Sequence, residues 1–229
     1  QKGFNMVFNF DHCWYNGAWD DFGRTAGKLT VNVLGLKTKM NEWIQGSANH
    51  MWIPHYWLNH DHARVMSQYG DPDHYHRESG SMLGMLLLSL PGTPFIYNGE
   101  EIGMTNVDYT SIDDFRDVWV KNFLIEASKR TPVEQLMNHL RRTSRDNART
   151  PMQWNNHPHG GFTQGVPHQK SVSNYDRINV ESQINVHNSI FGMYKSMIRL
   201  RTKSEYTQTL AYGDFNLIEK DDTQLYAFK

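Results

Sequence analysis

The residues most able to do chemistry stand together in His55-Tyr56-Trp57-Leu58-Asn59-His60-Asp61-His62-Ala63-Arg64. A carboxylate with an imidazole beside it and a guanidinium three residues on can hold a polar ligand and stabilise positive charge developing on it. The preceding run, from Met51-Trp52-Ile53 onward, is aromatic and β-rich, so these groups would stand at the carboxyl end of a buried strand. The same residues could equally form a polar turn in which Asp61 caps the next helix. The local pattern leaves both readings open.

The elements that would position this stretch follow from periodicity. Residues 4–10 alternate apolar and polar side chains, a strand ending in Asp11-His12. Residues 17–27 read as a loop, and Leu36, Met40, Trp43 and Ile44 carry helical spacing. Residues 51–57 form a second strand. Residues 79–90 are apolar on most sides, a buried helix ended by Pro91-Gly92, and residues 93–97 a third strand followed by Asn98-Gly99-Glu100-Glu101. Strands alternating with helices, each strand ending in polar groups, predict a parallel α/β sheet with ligands at the strands' carboxyl ends.

Beyond residue 97 the pattern changes. Residues 106–145 read as helical hairpins under long loops, with Pro132 in a helix's first turn, and residues 145–173 as one long aperiodic loop. Residues 189–200 form an amphipathic helix whose Arg199 and Arg201 suit its negative C-terminal end. Residues 210–228 alternate around Asp221-Asp222, a β-hairpin signal. The Asp and His residues of 71–76 mark a solvated helix start, because no zinc-ligand spacing is met there.

Composition excludes several partners. With 38% hydrophobic residues, the 229-residue chain can bury a sizeable core, and a formal net charge of -1 argues against nucleic acid or an anionic membrane. The single Cys13 rules out an internal disulfide. Residues 83–97 are apolar, but Pro91-Gly92 and Pro94 interrupt them and they are too short to span a bilayer. The 7 Trp and 11 Tyr suit flat, hydroxylated ligands, although large cores use such rings too. Because the chain begins and ends within strand-like runs, it is expected to be a piece of a longer protein.

Three segments carry a family resemblance. Trp57-Leu58-Asn59-His60-Asp61-His62-Ala63-Arg64 resembles the W-N-N-H-D-x-P-R region of the oligosaccharide-cleaving branch of glycoside hydrolase family 13, the α-amylase superfamily. Residues 92–106, Gly-Thr-Pro-Phe-Ile-Tyr-Asn-Gly-Glu-Glu-Ile-Gly-Met-Thr-Asn, resemble its G-T-P-Y-I-Y-Q-G-E-E-I-G-M-T-N run. Residues 144–154, Ser-Arg-Asp-Asn-Ala-Arg-Thr-Pro-Met-Gln-Trp, resemble its S-R-D-N-A-R-T-P-M-Q-W loop. The likeness is to oligo-1,6-glucosidases, dextran glucosidases and trehalose-6-phosphate hydrolases, and it is collinear over essentially the whole chain. Departures are Leu58 for a usual Asn, Ala63 for Pro, His62 for Gln and Asn98 for Gln.

The resemblance implies an α/β fold: a partial (β/α)8 TIM barrel (strands six to eight) over residues 1–204, then the start of an antiparallel β domain over 205–229. It implies retaining hydrolysis of terminal α-linked glucose in short isomalto- or malto-oligosaccharides. The alternatives are trehalose-6-phosphate hydrolysis, sucrose isomerisation, or a non-catalytic scaffold. The family's nucleophilic Asp and general-acid Glu match no stretch here, so the chain alone is expected to be inactive. Asp61 matches the transition-state-stabilising acid, and His60 and Arg145 match sugar-binding positions. Arg149 is expected to pin the loop, Glu100 and Glu101 to be structural, and Arg64 and Trp57 to support the site. No cofactor or metal is implied. The expected partners are an oligosaccharide and either the missing N-terminal part of the barrel or another copy of the chain, and the expected location is cytoplasmic.

Overall fold

The protein is described by a computed structural model over residues 3–14, 31–47 and 51–229. The loop expected at 17–27 lies outside these residues. A 3-10 turn at Asp11–Trp14 and helix α1, Val33–Ser47, precede strand β1, Pro54–Tyr56. Leu36, Met40 and Ile44, four residues apart, put one side of α1 into the core. After β1 come α2, Val65–Tyr69, and α3, His76–Ser89, and then β2, Thr93–Phe95. β1 and β2 pair in parallel with Pro54 opposite Thr93 and Tyr56 opposite Phe95, which makes a strand–helix–strand crossover of the expected α/β type.

The first expected strand is thinner than its alternation implies. Within residues 4–10 only Met6 bridges, in parallel, to Trp52, through the Trp52 N–H donating to the Asn5 carbonyl at 2.8 Å. The ring of Phe8 lies edge-on to Phe95, with centroids 4.8 Å apart, and to Tyr56 at 5.3 Å. Aromatic packing, more than a hydrogen-bond ladder, therefore holds this segment against β1 and β2.

The rest of the chain numbers as α4, Val118–Ala127; α5, Val133–Thr143; α6, Val180–Gln183; α7, Ile190–Lys203; α8, Thr207–Tyr212; β3, Leu217–Ile218; and β4, Ala227–Phe228. α4 and α5 form the expected helical hairpin, with Pro132 at the N-cap of α5. Ile102, Tyr109, Phe115, Leu136 and Leu140 give this excursion its own core. α7 packs on α3, and a Cβ on Gly84 would collide with the Tyr194 ring, so only glycine lets the two helices come this close.

One expectation is extended here and one is corrected. Arg201 stands in the last turn of α7, as expected, but its hydrogen bonds go to another part of the chain. Its guanidinium donates to the carbonyls of Leu88 at 3.0 Å, Leu90 at 2.8 Å and Gly92, satisfying the orphan carbonyls where α3 ends. Residues 207–212 form helix α8 rather than entering a strand, so the hairpin expected over 210–228 has only two ladder pairs, Leu217 with Phe228 and Ile218 with Ala227. Its turn is fixed from far away in sequence. Lys37, fully buried in α1, donates to the carbonyls of Glu219 at 2.5 Å, Asp222 at 2.6 Å and Leu225 at 2.9 Å.

Candidate functional site

β1 is buried along its length, and the polar residues follow directly after it. The Asn59 side chain accepts the Asp61 N–H at 2.8 Å, and the His62 N–H donates to the Asn59 carbonyl at 3.2 Å, a tight turn that holds Asp61 out beyond the strand. Asp61 caps no helix: the N-cap position of α2 is Arg64, without a side-chain cap. Its Oδ1 instead accepts from Arg145 Nη1 and from Arg149 Nη2, each at 2.9 Å, and His60 Nε2 lies 3.4 Å from Oδ2. Arg149 Nε also donates to the His60 carbonyl at 2.9 Å, the pinning role expected of it.

Sequence reasoning missed the second acid. Arg145 is bidentate on Asp117, Nε to Oδ2 and Nη2 to Oδ1, the latter at 3.1 Å. Arg149 Nη1 lies 3.7 Å from the same Asp117 Oδ2. Asp146, next to Arg145, takes no arginine; its buried carboxylate accepts the N–H groups of Arg116 at 2.8 Å and Asp117 at 3.0 Å, and the Gln169 amide at 2.9 Å. Asp117 also caps α4 through the Trp119 N–H, so in sequence it looks like an ordinary helix start. The one signal available in the sequence is its place directly before a helix, which capping alone explains.

The cluster thus sets two guanidinium groups against two carboxylates. Burial pushes the Asp61 carboxyl up, but the Arg145 hydrogen bond and the charges of His60, Arg145 and Arg149 outweigh it and hold Asp61 below its ordinary value. The Arg145 hydrogen bond does the same for Asp117, against its burial. Both acids are therefore anionic at neutral pH. Their exposure differs sharply: the side chains of Asp61 and Arg145 are 43% and 38% accessible, that of Asp117 only 3%. A ligand can reach Asp61 and Arg145 but not Asp117.

Beneath this layer lies a buried knot. Arg64 donates through Nε to the Asn147 carbonyl at 3.1 Å, Nη1 to the Asn98 carbonyl at 2.5 Å and Nη2 to Thr150 Oγ1 at 3.1 Å, with its guanidinium over the Tyr97 ring. Trp57 donates from Nε1 to the Leu83 carbonyl at 2.8 Å and packs in the core with Leu58. Both support the polar loop from below, as expected. Glu100 is buried against the Tyr194 hydroxyl at 2.8 Å, and its burial pushes it up to about 8. Glu101 accepts the Gly99 N–H at 2.8 Å. Neither joins the Asp61 cluster.

Asp71 Oδ1 accepts the N–H groups of Asp73 and His74, the solvated helix start expected there, and among the described residues no group of three or more His, Cys, Asp or Glu could hold a metal ion. Two large clefts, of about 770 and 800 Å³, are lined by other residues, the first around His76, Asn106 and Arg177 and the second by residues 155–164. Among the described residues no helix is long and apolar enough to cross a membrane.

Residues 1–213 match the family described as alpha amylase, catalytic domain. The chain belongs to this family. It is 40% identical over 230 residues to the oligo-1,6-glucosidase of Halalkalibacterium halodurans, covering 98% of this chain and 39% of that protein. It is 36% identical to the trehalose-6-phosphate hydrolase of Escherichia coli, covering 98% of this chain and 40% of that one. Its fold superposes on an isomaltulose synthase mutant of Erwinia rhapontici NX5 solved in complex with D-glucose, with a TM-score of 0.89, 32% identity, and coverage of 98% and 40% of the two chains. The α/β fold is accordingly that of the α-amylase catalytic domain. The chain spans about 40% of the length of the curated relatives it matches.

Proposed function

We propose that the protein to which this chain contributes is a retaining, exo-acting α-glucosidase that removes terminal α-linked glucose from short isomalto- or malto-oligosaccharides in the cytoplasm. In this reading residues 4–10, β1 and β2 belong to barrel strands six, seven and eight, and residues from 205 onward open an antiparallel β domain. The rest of the barrel, or a second copy of the chain, would cover the exposed rings of Phe4, Phe8, Phe10 and Phe95. The nucleophilic Asp and the general-acid Glu would come from outside these 229 residues.

The observation that carries the reading is the solvent-facing Asp61, held anionic by two arginines just past the carboxyl end of a parallel strand. Its Oδ1 is taken by the guanidinium groups, which leaves Oδ2 to accept sugar hydroxyls. As the glycosidic bond breaks, positive charge develops on the glucosyl ring, and a fixed anion nearby stabilises it without reorganising. His60, exposed beside Oδ2, offers a second hydroxyl contact, and the planar guanidinium of Arg145 suits vicinal hydroxyls. Two guanidinium groups facing two carboxylates also favour a neutral glucosyl group here over a phosphorylated one. A trehalose-6-phosphate hydrolase or a sucrose isomerase remains the second reading, on the similarity to those enzymes. A scaffold has no use for this accessible polar set.

Intact-mass and N-terminal analysis of the expressed protein, beside hydrolysis of p-nitrophenyl α-glucoside, tests the proposal. The expected result is a longer chain whose activity is lost with Asp61→Asn. Cleavage by a pure chain of these 229 residues would overturn the placement of nucleophile and acid outside them.

A further inference from the structure

We propose that Asp117 is the positioning residue of the sugar site: buried and bidentate on Arg145, it keeps that guanidinium from closing over Asp61. The inference rests on the reading above that Asp61 and Arg145 bind a glucosyl group. Arg145 has five N–H donors. Asp117 takes those at Nε and one at Nη2, and Asp61 Oδ1 takes one at Nη1. One N–H on each Nη is left for a ligand.

Without Asp117 the same side chain would find its best partner in both oxygens of Asp61, because a fork-to-fork arginine–carboxylate pair is stronger than a single contact. Such a pair would occupy Oδ2, the oxygen left for sugar hydroxyls. Asp117 thus divides the guanidinium between two acids and keeps the accessible one partly open. Its own position is fixed by a short circuit: Asp146 follows Arg145 in the chain and accepts the Asp117 N–H at 3.0 Å, and Gln169 holds Asp146 at 2.9 Å. The residue next to the arginine anchors the acid that anchors the arginine. With a side chain only 3% accessible, Asp117 acts on the ligand through Arg145 and not by touching it.

Asp117→Ser separates this role from helix capping, since serine also caps the Trp119 N–H but cannot grip a guanidinium in two places. Binding of methyl α-glucoside to the protein as expressed is measured by calorimetry, beside thermal unfolding. We expect Asp117→Ser and Asp117→Asn each to weaken binding about 10-fold with little change in the midpoint of unfolding. In an Arg145→Gln background, neither should weaken it further by more than about twofold. Wild-type affinity in both variants, or losses that multiply with Arg145→Gln, would overturn the role of Asp117 while leaving the sugar site standing. Failure of the unsubstituted protein to bind, or binding indifferent to Asp61→Asn, would overturn the site and this inference together.

Discussion

Arg64 and Arg145 lie in neighbouring layers of the same loop cluster, yet they do different work. Arg64 is 1% exposed, and all three of its nitrogens are spent on two backbone carbonyls and one hydroxyl. Burial pulls its pKa down to about 10, which still leaves it charged at neutral pH. Arg145 faces two carboxylates, keeps part of its fork in solvent, and is pushed above its ordinary value by the Asp117 hydrogen bond. A guanidinium satisfied by neutral oxygens fixes where three pieces of chain meet. One matched by carboxylates and open to water can trade contacts with a ligand. Partners and exposure, more than residue type, separate structure from function here.

The sharpest way to break this comparison is to remove each arginine layer's key group. Arg64→Leu should destabilise the fold by about 3 kcal/mol, because it removes the donor to the Asn98 carbonyl and one of the two donors to the buried Asn147 carbonyl, the other being Thr150 Oγ1. Urea unfolding checks this, and an unchanged midpoint would mean that the knot is not structural. Asp61→Asn should do the converse, lowering hydrolysis of p-nitrophenyl α-glucoside by the full protein about 100-fold or more with its unfolding midpoint nearly unchanged.

Lys37 extends the comparison to a third cation. Like Arg64 it is buried against neutral oxygens, here three carbonyls, so Lys37→Met should cost about 2 kcal/mol in the same urea experiment and leave sugar binding at its original strength. A different kind of effect, read against pH, belongs to Glu100, whose carboxyl is raised from 4.5 to about 8, mainly by burial. The unfolded chain releases that proton above pH 4.5 while the folded chain holds it to about 8, so this group's contribution to stability falls as pH rises through that window. Glu100→Gln should flatten the corresponding part of a curve of unfolding midpoint against pH, and a curve identical to that of the original chain would show that Glu100 ionises normally in the fold.

What could be read from the sequence depended on how far a signal travels along the chain. The strand end that carries His60 and Asp61 was legible because a strand and its polar end lie in adjacent positions, but the local pattern left Asp61 open between site and helix cap, and its expected role and that of Arg145 came from the motifs they sit in. Asp117 was not, because its two roles look alike locally: an aspartate at a helix start is explained by capping alone, and its partner is 28 residues away with no periodicity between. Helix α8 was missed for a different reason. Thr207 and Thr209 are weak helix formers, and one and a half turns give too few positions for a 3.6-residue period to show against alternation. The strand at 4–10 was over-read because alternating rings fit a sheet surface whether or not their backbone joins the ladder.

The carbonyl cage around Lys37 also bears on the order in which the chain can fold. Its acceptors lie 182, 185 and 188 residues downstream of the lysine. During synthesis at roughly 5–20 residues per second, α1 would wait about 10–40 s before its buried ammonium could meet them. Until then the lysine must stay in water, and α1 with it must hold back from its final seat. Contacts this distant slow folding in general. Here they place the completion of α1 under the control of a hairpin made 182 to 188 residues after Lys37.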